Sequence, residues 1–404
     1  MRVAGVLALG VGTVIIALVG GWSVMYRVSY VVWLLILLAA VWTLIGARSL
    51  AVERRVRTQR AQVGGHFEEW TAVDNTSWLP KPWLDLRIRS DISDDETRRG
   101  FVMGPKARRS WTIRTQCASR GKFRLGDIQL ETGDPFGLFH RQVRFPSDET
   151  VVVYPRTVVF ATAARIPGDL PGGAQQRGQV PFVTPTAAGV RDYMPGDPLS
   201  RIHWPSTART GRFMVKEFEL DPFSDVWVCL DLNRRVHHGR GPESTEEYAV
   251  TVAASLARHF LDENRAVGFV AQGEAVQPDR GVRQLSKVLE LLAVLRADQW
   301  GSLAATLSGE SLRFNRMSTL FVVTPSIEGD WVPVCQHLKQ RGVHVLVALV
   351  ESATFGSGMS SIDLVGSLAV ASIPTYLVKR GEPIESLLAH PHPVSTVHAS
   401  LRDS

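Results

Sequence analysis

The sequence predicts a multi-domain chain with an N-terminal transmembrane α-hairpin, a β-sandwich-like domain and a doubly wound α/β domain. Three observations lead to this fold class: charge-free apolar stretches at the start, short strand-like runs between turn residues after them, and alternating strands and helices in the second half. A chain of 404 residues also exceeds the usual size of one domain. The expected segments are the hairpin at 1–50, the β-sandwich-like domain at 51–165, a Gly/Pro/Gln-rich connector at 166–188, a motif-bearing junction at 189–222, the α/β domain at 223–385 and a flexible tail at 386–404.

Two apolar stretches near the N-terminus predict two membrane spans. Residues 3–26 and 28–47 carry no charged side chain, and each is long enough for the ~20 residues that cross a bilayer core. The expected spans are 3–21 and 28–47, with Arg27 in a very short connection. The alternative for the first stretch is a cleaved signal peptide, which its length and the second stretch directly after it disfavour.

The arginines around these stretches predict the orientation. Only Arg27 lies between the two stretches, whereas five arginines follow the second one: Arg48, Arg54, Arg55, Arg57 and Arg60. The positive-inside rule then places both termini and the soluble domains of a multi-pass protein in the cytoplasm. The lipid bilayer is therefore the first expected partner. The same arginines supply much of the net charge of +6, so that charge does not indicate a nucleic-acid partner, and none is expected.

The cysteines indicate a reducing compartment. Cys117, Cys229 and Cys335 are odd in number, far apart and not in a CxxC pair. This pattern predicts neither a disulfide framework nor a zinc site, and the three thiols are expected to be small core residues.

Short strand-like runs such as 111–115 and 151–154, separated by Gly, Pro and Asp turns, predict the β-sandwich. In its 134–139 turn, Phe136 and Phe139 are expected to fill a core. The α/β domain is predicted from strands at 226–230, 266–271, 319–324, 343–350 and 375–378, with helices at 243–263, 284–295 and 332–340.

The densest chemistry lies at 189–219. A turn at 195–198 is predicted to open a helix, because Gly196 can adopt a positive φ and Asp197 is a good N-cap. Gly211 is expected to end the helix, and 213–220 to continue as a strand. Mixed charges around Trp204 indicate a fixed polar network, which either contacts a partner or holds two domains in register. Its candidate members are Arg191, Asp192, Tyr193, Gly196, Asp197, Arg201, His203, Trp204, Arg209, Lys216 and Glu217.

This stretch resembles a known bacterial family. The residues G-x-R-D-Y-x-P-G-D at 189–197, R-I-H-W at 201–204, A-R at 208–209 and V-K-E at 215–217 are similar to the signature of domain of unknown function 58. Pro205 stands where the family usually has lysine. Patterns at 120–126, 134–139 and 153–155 also resemble the family.

The α/β domain is similar to a von Willebrand factor A domain, and that resemblance raises the question of a metal. Many such domains hold Mg²⁺ through a strand-end D-x-S-x-S, because a hard cation prefers oxygen ligands. Here Asp231 is kept, but Asn233 and Arg235 replace the hydroxyl residues, so the site is degenerate. No metal or other cofactor is expected, and Asp231 is expected to pair with Arg234, Arg235 or a motif arginine.

Catalysis is not expected. His203 lies near Ser206 and Asp197, but no nucleophile-elbow pattern surrounds the serine, and Pro205 is expected to interrupt the helix that would bring the two together. No phosphate loop of the GxxxxGK[ST] kind is present. The pair at 237–238 is expected to lie in a solvated loop. A membrane-linked hydrolase acting on envelope material is the alternative.

The resemblance also implies a partner. Members of this family commonly occur beside MoxR-type AAA+ ATPases, and A-type domains often serve such ATPases as adaptors. The expected function is a membrane-anchored, non-enzymatic adaptor or scaffold that works with such an ATPase in the assembly or maturation of membrane or envelope proteins. Other membrane proteins are further expected partners.

Overall fold

The computed structural model describes residues 2–57, 60–160, 183–194, 202–220, 225–357 and 359–389. The chain divides into two compact units. Unit 1 comprises Met1–Arg156 with Leu289–Leu295, and unit 2 comprises Thr157–Val288 with Arg296–Ser404.

Unit 1 begins with two helices, α1 (Arg2–Gly20) and α2 (Ser23–Arg48). By length and composition, α2 could cross a membrane, since its most apolar window has a mean hydropathy of 2.4. The apolar part of α1, Gly5–Gly20, is shorter. The break between the helices differs from the expected one near Arg27. Gly21 adopts a positive φ of 64° there, and Arg27 lies inside α2.

Nine strands follow in the described part of unit 1. They are β1 (Leu50–Val56), β2 (Arg60–Gln62), β3 (His66–Asn75), β4 (Lys81–Ser90), β5 (Ser93–Met103), β6 (Arg108–Gln116), β7 (Gly121–Gly133), β8 (His140–Phe145) and β9 (Thr150–Tyr154). One sheet has the order β1-β3-β6, and the other has the order β2-β9-β7-β4-β5 with β8 also paired to β7. Val73 and Ile113 of the first sheet pack against Leu84, Leu86 and Leu130 of the second, so the two sheets share a core.

Several arginines after α2 are already neutralised within unit 1. Arg54 is nearly buried and donates from Nε to Glu69 Oε2 at 2.8 Å. Arg60 pairs with Glu290 at 2.9 Å.

Unit 2 contains a six-stranded sheet with helices on both faces. Its strands are β12 (Val226–Leu230), β13 (Val267–Ala271), β14 (Glu274–Asp279), β15 (Thr319–Thr324), β16 (His344–Val350) and β17 (Thr375–Val378), in the order β14-β13-β12-β15-β16-β17. All neighbours are parallel except β14, which is antiparallel to β13. Its helices are α4 (Thr245–Asp262), the part of α5 (Gly281–Val294) that precedes Leu289, α6 (Leu303–Gly309), α7 (Val332–Gln340) and α8 (Ile362–Val370).

Side chains on the two faces of this sheet pack into two separate cores. Trp227 and Cys229 of β12 face a cluster built from α6, α7 and α8. On the other face, Phe321 of β15 meets Phe260 of α4 with ring centroids 5.3 Å apart. Ser244 caps α4, because its side chain accepts from Glu247 N. All three cysteines are buried, as expected, and burial raises the pKa of Cys335 to about 12.

Strand β14 and helices α6 and α8 of unit 2 were not predicted. Strand β14 is polar and contains Pro278, which an edge strand tolerates. Helices α6 and α8 are short and rich in small residues, so their helical periodicity is weak. In the expected tail, Ile384–Ala389 forms 3₁₀ turns, and 390–404 lie outside the described residues.

Candidate functional site

The signature stretch forms a small hairpin module in unit 2. Strands β10 (Val183–Asp192) and β11 (Met214–Leu220) pair antiparallel, with Asp192 opposite Met214. An isolated bridge joins Ile202 to Val215. The first residues of β10 were expected in the connector; they belong to the strand because pairing with β11 begins at Val183. The rest of the connector up to 182 lies outside the described residues.

Helix α3 (Trp204–Thr210) lies between these strands. Gly211 ends it as expected, with a φ of 70° and its N–H donating to Thr207 O. The expectation that Pro205 interrupts the helix is wrong. Pro205 occupies the first turn, where its missing N–H has no intrahelical partner to lose, and the helix begins around it. The predicted turn at 195–198 lies outside the described residues.

The structure places only part of the predicted network. Gly196, Asp197 and Arg201 lie outside the described residues, as do the side chains of Arg191, Lys216 and Glu217. The side chains of the remaining candidates are described: Asp192, Tyr193, His203, Trp204 and Arg209.

Trp204 is exposed instead of packed at the centre of a polar network. Its exposed fraction is 63%, and those of Phe213 and Met194 in the same module are 56% and 65%. Tyr193 and Phe213 make an edge-on ring contact with centroids 6.1 Å apart. Arg209 is also exposed. The module therefore presents large apolar side chains and a cation to solvent, which is unusual for residues with only a structural role.

His203 and Ser206 do approach each other. His203 Nδ1 and Ser206 Oγ are 2.7 Å apart, and Ser206 N donates to His203 O at 3.1 Å. The contact is local, because it spans the first turn of α3. Asp197, the third member of the suggested triad, lies outside the described residues.

A second site lies at the carboxyl edge of the unit 2 sheet. Strand β12 is followed by β13 on one side and flanked by β15 on the other, so the strand order reverses between β12 and β15. Open parallel sheets usually bind ligands at such a switch point. Asp231 follows β12 there, and Thr324 ends β15.

Asp231 is 1% exposed and is held by neutral donors. Its Oδ2 accepts from Thr324 Oγ1 at 2.7 Å, and its Oδ1 accepts from Asn233 N at 3.0 Å and Gln272 Nε2 at 3.4 Å. The pKa of Asp231 is raised to about 6, mainly by burial. The hydrogen bonds from Thr324 and Asn233 lower this pKa, and the charges of Asp330 and Glu328 raise it.

The expected pairing of Asp231 with a neighbouring arginine is wrong. The guanidinium groups of Arg234 and Arg235 lie over the Trp300 ring, 5.9 and 5.4 Å from its centroid. Both arginines follow the strand end in a turn, and the indole offers them a partly exposed cation–π contact that a buried carboxylate cannot.

The residues around Asp231 do not fit a divalent metal. Asn233 Oδ1 accepts from Arg235 N at 3.1 Å, and the Thr324 hydroxyl donates to Asp231. Within the described part of the chain, no group of three or more His, Cys, Asp or Glu residues could hold an ion. A hard cation needs more oxygen ligands than this set offers.

His237 was expected in a solvated loop, but its ring is held by two contacts within unit 2. Its Nε2 lies 2.9 Å from Asp231 O and its Nδ1 lies 3.2 Å from Thr245 Oγ1. The ring therefore braces the turn after β12 against the start of α4.

Sequence reasoning missed several exposed aromatic residues. Phe213 was taken as the start of a strand, Trp300 was not singled out, and Phe136 was expected in a core although it is 63% exposed. Aromatic residues between turn signals are typical of both cores and binding surfaces, so residue type alone did not separate the two.

Comparisons with known proteins support the family resemblance. Residues 189–365 match the family described as "Protein of unknown function DUF58". The uncharacterised protein YeaD of Bacillus subtilis is 24% identical over 295 residues, which cover 68% of this chain and 71% of YeaD. An uncharacterised protein of Mycobacterium tuberculosis is 28% identical over 134 residues, which cover 32% of this chain and 41% of that protein.

Likeness to solved structures is weak. The CARDB domain of a Pyrococcus furiosus protein aligns with a TM-score of 0.20 and 17% identity, covering 26% of this chain and 91% of that domain. The C-terminal domain of wzt aligns with a TM-score of 0.21 and 9% identity, covering 26% of this chain and 73% of that domain. Neither likeness carries an argument. The match over 189–365 and the Bacillus relative together support the DUF58 family for this chain.

Proposed function

We propose that this chain is a membrane-anchored adaptor or scaffold that catalyses no reaction. Its partner is a MoxR-type AAA+ ATPase, and its task is the assembly or maturation of membrane or envelope proteins. In this proposal the α/β unit is a von Willebrand factor A-like domain, and it serves as the adaptor that contacts the ATPase. The exposure of Trp204 in the hairpin module is the observation that carries the proposal.

Trp204 and Arg209 have the chemistry of a protein-binding site. Tryptophan and arginine are the residues whose truncation most often costs an interface about 2 kcal/mol or more. Trp204 is 63% exposed and therefore contributes little to the core of its own unit, so its large apolar surface is available to a partner. This exposure supports the contact with a partner over the domain-register role.

Membrane anchorage is supported by α2 and by the way α1 packs on it. Helix α1 has 19 residues, or about 28 Å of rise, which is close to the ~30 Å hydrocarbon core. A Cβ on Gly10 would lie 3.4 Å from Trp33, so the two helices approach closely. We propose a two-span hairpin with both soluble units in the cytoplasm, as the arginines after α2 favour.

Co-purification from native membranes tests the adaptor role. Trp204→Ala is expected to lose most of the ATPase that the parent chain captures, and Arg209→Ala a smaller part. Trp300→Ala is the matched control, because Trp300 is a similarly exposed tryptophan at 66% in the same unit. Equal capture by the Trp204 and Trp300 variants, with both chains folded, would contradict the proposal.

A hydrolase acting on envelope material is the second candidate, because His203 Nδ1 lies 2.7 Å from Ser206 Oγ. If it is correct, His203→Ala and Ser206→Ala should each abolish turnover of envelope fragments by purified protein. The adaptor proposal expects no turnover by the parent chain and unchanged ATPase capture by the Ser206 variant.

A further inference from the structure

One end of the β-sandwich in unit 1 is tied directly to the end of α2. Ser49 follows α2, and its carbonyl accepts from Thr76 N at 2.9 Å and from Thr76 Oγ1 at 3.0 Å. The Lys81 ammonium, only 1% exposed, donates to Ser49 Oγ at 2.9 Å and to Ser77 Oγ at 3.2 Å. A cation at this position also suits the negative end of the α2 dipole. The β3–β4 loop is therefore fixed to the helix end.

Two other loops lie at the same end. Lys106 N donates to Ser77 O at 2.8 Å, which joins the β5–β6 turn to the β3–β4 loop. Strands β4 and β7 pair with Leu84 opposite Thr132, so the β7–β8 loop also begins beside the start of β4.

These loops and the start of β4, which bears Trp83, carry exposed aromatic side chains. Trp78 is 75% exposed, Phe136 63% and Trp83 40%. The loop that presents Phe136 is preformed, because Asp134 accepts from Phe136 N at 2.8 Å and from Phe139 N at 2.6 Å. This loop therefore holds the Phe136 ring in solvent, and with Trp78 and Trp83 it gives this end of the sandwich an apolar surface of the kind that contacts a partner or a membrane.

The depth of this end follows from the length of α2. Its 26 residues rise about 39 Å, while a bilayer with its headgroups is about 40–45 Å thick. If α2 spans the bilayer, Ser49 lies at headgroup depth. Trp78 is two residues from Thr76, which spans at most about 7 Å. The Trp78 ring is therefore within reach of the interface where tryptophan is enriched.

We propose that Trp78, Trp83 and Phe136, together with Lys106 and Arg141, form a bilayer-docking surface that inserts into the interface beside α2. This inference rests on the proposed membrane anchorage and adds a second contact to it. The bilayer is the occupant because the surface is continuous with the end of the spanning helix. The surface holds the sandwich against the membrane instead of leaving it on a flexible tether.

The charges of the surface suit an anionic leaflet. Lys106 and Arg141 are exposed, and so is Arg48 at the end of α2. The carboxylate of Asp134 is turned into its own loop, where the residue is 3% exposed. Basic side chains near anionic headgroups contribute about 1 kcal/mol each.

Nitroxide accessibility in vesicles of phosphatidylcholine and phosphatidylglycerol tests this surface. The full chain is labelled at Trp78→Cys or Phe136→Cys, and the native cysteines are all buried and so protected from the label. Asp91→Cys is the aqueous control, because Asp91 is exposed just past the far end of β4. Leu37→Cys is the lipid control, because Leu37 lies in α2 and is 60% exposed.

The expected result is a ratio of oxygen to nickel-chelate accessibility at 78 and 136 that rises above the value at 91 toward that at 37. Values at 78 and 136 equal to that at 91, with 37 in lipid, would overturn the docking surface and leave the anchorage intact. Loss of access to both reagents at 78 and 136 would show a protein cover and also overturn it. An aqueous value at 37 would instead remove the anchorage, and the docking surface with it.

Discussion

Arg120→Ala is expected to lower the free energy of unfolding of unit 1 by about 3–5 kcal/mol, because it removes a buried guanidinium and leaves its two carbonyl acceptors without this donor. Arg120 is 0% exposed. Its Nε donates to Leu292 O at 3.0 Å and its Nη2 to Leu295 O at 2.9 Å, both within unit 1. Removing the side chain leaves a cavity and takes a donor from each carbonyl. Arg120→Lys should rescue little, because an ammonium cannot reproduce the fork of a guanidinium.

The thermal midpoint of the purified full chain measures this loss. Arg124→Ala is the matched control, because Arg124 is 70% exposed on neighbouring strand β7 and pairs with the exposed Asp148. That variant is expected to change stability by about 0.5 kcal/mol or less. A midpoint for Arg120→Ala no lower than that of Arg124→Ala would contradict the account of this buried contact.

Asp231→Asn is expected to stabilise unit 2 at neutral pH by about 3 kcal/mol. The pKa of Asp231 is raised from 3.8 to about 6, mainly by burial, so the fold disfavours the charged form. An acid of this kind costs stability above pH 6, and the cost disappears as the pH falls toward 4. An asparagine keeps the bond from Asn233 N, and its amide can donate to the Thr324 hydroxyl, which also accepts from Ser326 N.

The advantage of Asp231→Asn should therefore shrink between pH 6 and pH 4. Unfolding of the parent and variant chains across this range measures it, and Asp262→Asn is the control because that carboxylate is 66% exposed. An advantage that stays constant with pH would show that Asp231 is not a buried acid with a raised pKa. A carboxylate kept at such a cost at a sheet switch point is also typical of a functional position.

Much of the α/β sheet could be predicted because its strands are buried on both faces. Val226–Leu230 and Thr319–Thr324 are continuous apolar runs, and the structure gives the same bounds. The end of α3 was predictable for a similar local reason, since only a residue tolerant of positive φ suits the position of Gly211.

The sites were harder to predict because they depend on distant residues. The sequence predicted Asp231 at the end of a strand. The hydrogen bond that Asp231 accepts from Thr324 could not be predicted, because the two residues are 93 positions apart. The exposure of Trp204 and Phe136 depends on how the surrounding loops fold, and their sequence neighbours are the turn residues that also surround core aromatics. Local patterns thus gave the elements, while the sites required the tertiary structure.

The most direct test of the adaptor proposal is photo-crosslinking from position 204. A benzophenone amino acid replaces Trp204 in cells, and the same residue replaces Trp300 as the matched position. The account predicts that position 204 crosslinks chiefly to an AAA+ ATPase, identified by mass spectrometry, and that position 300 does not. Crosslinks from 204 that are absent, or that are the same as those from 300, would contradict it.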